Sequence, residues 1–109
     1  MKILALEQAV PGVAAAAFTP ALLQQEAGRV WELQQSGALR EIHFRADRRE
    51  AVLVLECADA AEGERTLATL PLVAAGLIRF EVIPLVPYPG LARLFAADRP
   101  GKEGRPAAV

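Results

Sequence analysis

The stretch LREIHFRADRREAVLVLEC, residues 39–57, holds the key to the fold. Two runs rich in branched apolar residues, Leu39–Arg45 and Ala51–Cys57, flank the polar link Ala46-Asp47-Arg48-Arg49-Glu50, which has the length of a hairpin connection. Upstream, Thr19 is a good N-cap and Pro20 occupies the first helical turn, where its missing N–H costs nothing. Ser36-Gly37 supplies the stop. Between them Leu22, Leu23, Ala27, Val30, Trp31 and Leu33 predict an amphipathic helix with a broad apolar stripe, and Trp31 is expected beneath the sheet. Downstream, Asp59 with Glu62 forms an Asp-x-x-Glu variant of the capping box, and Ala60, Gly63, Leu67 and Leu70 share one face. Pro71 ends this second helix. Gly63 in its middle predicts a close approach to a neighbouring element. Strands at the two flanks, Met1–Gln8 before Pro11-Gly12 and about Leu77 to Val86, complete the pattern. Pro84 and Pro87 place the last strand at an edge.

The order is β-α-β-β-α-β, which defines an α+β fold of the ferredoxin-like type: a four-stranded antiparallel sheet with both helices on one face. The 109 residues suffice for one domain and one core. That domain is expected over residues 1–95. A Pro-, Gly- and charge-rich tail over 96–109 is expected to be flexible and dispensable for folding.

Composition narrows the function. A net charge of −1 offers no field to attract nucleic acid or an acidic membrane. One cysteine, Cys57, and one histidine, His43, cannot supply a multi-thiolate or His-rich metal site. Cys57 has the helix-facing parity and is expected to be inert. Neither a signal-peptide pattern nor an apolar run approaching the roughly 18 residues of a membrane span is found, so a cytoplasmic protein is expected.

Sorting the strands by parity assigns Leu4, Leu6, Ile42, Phe44, Leu53, Leu55, Ile78, Phe80 and Val82 to the face that carries the helices. The other face collects Ile3, Ala5, Glu7, Leu39, Glu41, His43, Arg45, Val52, Val54, Glu56, Arg79, Glu81 and Ile83. Its half-apolar, half-ionisable composition predicts burial against a second copy of the same sheet, which closes a dimeric α+β barrel around a shared cavity.

From Leu39 to Leu72 the chain resembles the muconolactone isomerase family of small dimeric α+β-barrel proteins. The likeness rests on Arg40, Ala46, Glu56 at the end of the third strand, Thr66-Leu67, and above all Leu70-Pro71-Leu72. It departs from the enzyme pattern at Glu41, where the family has a histidine, and at Leu39 and His43, where it has aromatic residues. The resemblance implies a cofactor-independent isomerase of aromatic catabolism. Such an enzyme moves a proton within a small unsaturated lactone or carbonyl compound. That chemistry needs a base of tuned pKa and a donor for the developing enolate oxygen. Glu56, Glu41 and His43 are the candidate catalytic groups, with Glu7 a further possible base. Arg45 and Arg79 are the candidate donors, and Glu7 and Tyr88 the further candidates for substrate contact. For Glu56, desolvation beside Val52 and Val54 is expected to raise the pKa and Arg45 to lower it. Two other functions fit the same barrel: a non-catalytic small-molecule-binding or accessory protein, and a cofactor-free monooxygenase. The expected partners are a second copy of the chain, as a dimer or a multiple of one, and a small molecule.

Overall fold

Four strands, β1 (Lys2–Ala9), β2 (Leu39–Phe44), β3 (Ala51–Glu56) and β4 (Ile78–Pro84), pair antiparallel in the spatial order β2-β3-β1-β4. These and the helices come from a computed structural model that describes residues 1–96. Apart from Ala96, the tail expected over 96–109 lies outside the described residues. Strand β4 is an edge strand and ends at Pro84, as the prolines require.

Helix α1 (Pro20–Ser36) begins where Thr19 Oγ1 accepts the Leu22 N–H at 3.2 Å, with Pro20 in the first turn. It ends at Gly37, whose φ of 83° is the left-handed conformation that a Cβ makes costly. Helix α2 (Ala60–Ala68) is capped by Asp59, whose carboxylate accepts the Glu62 N–H at 2.8 Å; Glu62 in return accepts the Ala58 N–H at 2.6 Å. Pro71 ends that helix and starts a single turn, α3 (Pro71–Ala74). Helix α1 packs against β2 and α3, and α2 against β4 and α3. At Gly63 of α2 an added Cβ would come within 2.8 Å of Ile3 Cδ1, so this glycine allows the helix to lie directly on β1.

The core consists of Ile3, Ala5, Leu33, Leu39, Ala51, Leu53, Leu55, Cys57, Leu67 and Leu70. This corrects the parity expected for β1 and for the start of β2. Ile3, Ala5 and Glu7, opposite Leu55, Leu53 and Phe80, face the helices; Leu4 and Leu6, opposite Val54 and Val52, face away. In β1 four successive residues, Ile3-Leu4-Ala5-Leu6, are all apolar, so alternation carries no contrast there. In β2 the register shifts between Leu39 and Glu41. The extra residue lets Leu39 and Ile42 share the helix-facing side although their numbers differ in parity. Trp31 and Phe44, expected in the core, are exposed; they border the pocket described below.

Candidate functional site

Between α1 and the helix-facing side of the sheet lies a pocket of about 510 Å³. Helix α1 contributes Leu23, Glu26, Ala27, Val30, Trp31 and Gln34. Across from it stand Ile42 and Phe44 of β2, Ala51 and Leu53 of β3, Glu7 of β1, and Ile78 and Phe80 of β4. Leu70 and Leu72 form part of the wall, and Arg49 of the β2–β3 link reaches its rim. The pocket therefore occupies the end of the sheet where β1 and β2 finish and β3 and β4 begin.

Two carboxylates stand among these apolar side chains, each anchored by a backbone N–H. Glu7 accepts from Ala51 N at 2.9 Å, and Glu26 from Leu72 N at 2.9 Å. Burial pushes the Glu26 pKa above the ordinary glutamate value. The Leu72 N–H pulls it back, and the negative charge of Glu7 adds a further upward push. The guanidinium of Arg49 lies over the Phe44 ring, 5.1 Å from its centroid, and offers a cation at the same rim. A carboxyl with an elevated pKa, a second carboxylate and a guanidinium in one hydrophobic pocket form an arrangement suited to moving a proton next to a carbonyl.

Of the residues singled out from sequence, Glu7 is in this pocket. Glu41 and His43 lie on the opposite, open side of the sheet as an exposed pair, 3.2 Å apart. Glu56 is exposed at the end of β3 and binds the chain's amino group at 2.7 Å. That contact lowers its pKa, with smaller contributions from Arg40 and Lys2, where desolvation had been expected to raise it. Arg45 is not its partner: its guanidinium grips Asp47 at 2.9 and 2.6 Å within the hairpin link. Arg79 lies on the open face opposite Gln8. Tyr88 stands exposed beyond the end of β4, with its ring folded against Gly90. Cys57 is buried, and burial raises its pKa, in keeping with a small inert side chain.

Glu26 and Arg49 are absent from the sequence-derived candidates. A signal for Glu26 exists: it lies four residues after Leu22 and four before Val30, inside the half-buried line of α1. An acid at that spacing is either buried or bordering a cavity. Arg49 reads as a solvated hairpin tip, and only the folded link brings it over Phe44.

Among the described residues no helix is long and apolar enough to cross a membrane, and no cluster of three potential metal ligands forms.

The fold and the pocket define an α+β protein of the ferredoxin-like type with an acid-bearing apolar cavity under its first helix. The chain belongs to the muconolactone delta-isomerase family, whose model matches residues 4–90. The resemblance read over Leu39–Leu72 thus extends across most of the domain. A crystal structure of muconolactone isomerase is similar with a TM-score of 0.63 and 23% identity, over 82% of this chain and 92% of that one. The 5-chloro-2-hydroxyhydroquinone dehydrochlorinase from Burkholderia phenoliruptrix AC1100, in complex with 2,5-dihydroxybenzoquinone, is similar with a TM-score of 0.54 and 15% identity. That likeness covers 79% of this chain and 94% of the other. Among curated protein sequences none matches.

Proposed function

We propose that the protein is a cofactor-independent isomerase that transfers a proton within a small unsaturated lactone or carbonyl compound, in the pocket between α1 and the sheet. The observation that carries this reading is the pair Glu26 and Glu7 in an apolar cavity, with Glu26 tuned upward by burial and by its neighbour. Glu26 takes a proton from the saturated carbon at the far end of the conjugated double bond, and the electron pair moves through that double bond onto the carbonyl oxygen as a dienolate. The same carboxyl returns the proton at the carbon next to the carbonyl, so the double bond shifts without any change in oxidation state. Arg49 is the cation available to the enolate oxygen. Glu7 keeps the Glu26 proton exchangeable nearer neutrality than that of an exposed glutamate.

Family membership supports the reaction class, and the departures from the enzyme pattern do not weigh against this site. Leu39 is in the core, while Glu41 and His43 are on the open face; none of the three borders the pocket. The test is muconolactone turnover by Glu26→Gln, which keeps the acceptor for the Leu72 N–H and removes the base. A loss of roughly a hundredfold or more with unchanged folding supports the assignment.

The same reading includes a homo-oligomer built through the open face. Leu4, Leu6, Val52, Val54 and Ile83 form a half-buried apolar centre there, ringed by Lys2, Glu41, His43, Glu56, Arg79 and Glu81. A centre of that kind inside a charged rim is the composition of an interface rather than of a solvated sheet.

A further inference from the structure

Helix α1 meets the connection between α2 and α3 through two polar contacts one turn apart. At the first, the Glu26 carboxylate accepts the Leu72 N–H at 2.9 Å. At the second, three residues further along α1, Arg29 Nε donates to Thr69 Oγ1 at 3.0 Å. Both partners in the second contact are themselves held. The Thr69 hydroxyl donates to Thr66 O in the last turn of α2 at 2.6 Å, and Arg29 Nη1 donates to Glu32 Oε1 on α1 at 3.1 Å.

The segment Thr69-Leu70-Pro71-Leu72 carries both contacts. Pro71 has no N–H, so Leu72 supplies the first free N–H of α3, and Leu70 at the N-cap has no side chain to accept it. Glu26 accepts it from the neighbouring helix. Leu70 and Leu72 are buried, which holds the segment down on the core. Apolar burial is not directional, however, and does not fix how the segment sits along α1. A hydrogen bond is directional, and the one from Arg29 to Thr69 supplies that constraint one turn from Glu26.

We propose that Arg29 and Thr69 are positioning residues for Glu26: their bond fixes the α2–α3 connection against α1 and so aims the Leu72 N–H at the Glu26 carboxylate. The proposal rests on the reading of Glu26 as the acid of the site. The Leu72 N–H favours the charged carboxylate, while burial and Glu7 oppose it. A looser bond leaves the opposing effects in command, and Glu26 then titrates at higher pH. The charged groups facing Glu26 across the pocket are Glu7 of β1 and Arg49 of the β2–β3 link. The residues that β2, β3, β4 and the Leu70–Leu72 wall contribute to the pocket are all apolar. On α1 itself Arg29 and Glu32 follow, paired with each other. Because the Arg29–Thr69 bond is exposed, its loss is expected to show at Glu26 rather than in the stability of the fold.

Two nuclear magnetic resonance measurements on the full chain test it. One is the carbon-13 titration of the Glu26 carboxyl, identified as the signal lost in Glu26→Gln; the other is the exchange rate of the Leu72 amide. Thr69→Val keeps the shape of the side chain, removes the hydroxyl and changes no charge. It is expected to speed Leu72 exchange about fivefold and to move the Glu26 titration to higher pH, with the circular dichroism unchanged. Thr69→Ser, which restores the hydroxyl, is expected to keep both at their wild-type values. Arg29→Met is expected to match Thr69→Val, and the two together to go no further than either alone. Wild-type exchange and titration in Thr69→Val would overturn the proposal. So would a double variant whose shift is the sum of the singles, since Arg29 would then act on Glu26 through its charge and not through Thr69. Neither measurement uses turnover, so absence of isomerase activity would count against the proposed reaction and leave this test standing.

Discussion

Glu26 concentrates the chemistry of the proposal into one titration. Its pKa is raised above the ordinary glutamate value, chiefly by burial, so folding favours the protonated form. This contribution to stability is fully present below the unfolded-state pKa and is lost as pH rises through the higher folded-state value. Wild-type stability should therefore fall across that window, and Glu26→Gln should flatten the fall; denaturant midpoints measured from pH 4 to 8 check both. Gly63 offers a packing test at the same scale. Gly63→Ala gains helix propensity, worth about 1 kcal/mol, but drives a methyl against Ile3 Cδ1. Ile3→Val, which alone costs about 1 kcal/mol, removes that contact. In a double-mutant cycle the pair should be more stable than the sum of the singles by at least about 0.5 kcal/mol, and additivity would show that the contact does not constrain the helix. Gly37→Ala, at a φ of 83°, should cost about 1 kcal/mol in chemical denaturation.

Element boundaries follow from local chemistry that is written in the chain. Thr19 and Asp59 cap, Gly37 and Pro71 stop, and the link at 46–50 turns; each has a mechanism that acts within a few residues, which is why the order β-α-β-β-α-β was legible. Facing was less so. The register shift between Leu39 and Glu41 depends on how β2 pairs with β3, a non-local choice that periodicity cannot carry. In β1 uniform hydrophobicity hides which side meets the helices. The site shares this gap: parity alone puts Glu7 on the open face with Glu41 and Glu56, while Glu26 is hidden within the apolar stripe of α1. The corrected register makes its own prediction. Leu39→Ala should cost about 2–4 kcal/mol, since Leu39 is buried opposite Leu55, whereas His43→Ala should stay within about 0.5 kcal/mol. Thermal unfolding of the two variants distinguishes this register from one that puts Leu39 on the open face.

At the scale of the molecule the sheet has two unlike faces. The helix-facing side holds both the core and the acid-bearing pocket, and the open side has an apolar centre suited to a second sheet. Val54→Lys, at that centre, should lower the mass seen by light scattering at micromolar concentration and leave the circular dichroism spectrum unchanged. A monomer mass for the unsubstituted protein would remove the oligomer from the account. The central claim is that proton transfer belongs to the helix-facing side. It is tested most directly by comparing Glu26→Gln with Glu56→Gln and Glu41→Gln for turnover and solvent-deuterium incorporation with muconolactone, normalised to folded protein. The account predicts a loss of roughly a hundredfold or more for Glu26→Gln and rates within about threefold of wild type for the other two. Full activity in Glu26→Gln beside a collapse in Glu56→Gln or Glu41→Gln would contradict it and move the chemistry to the open face.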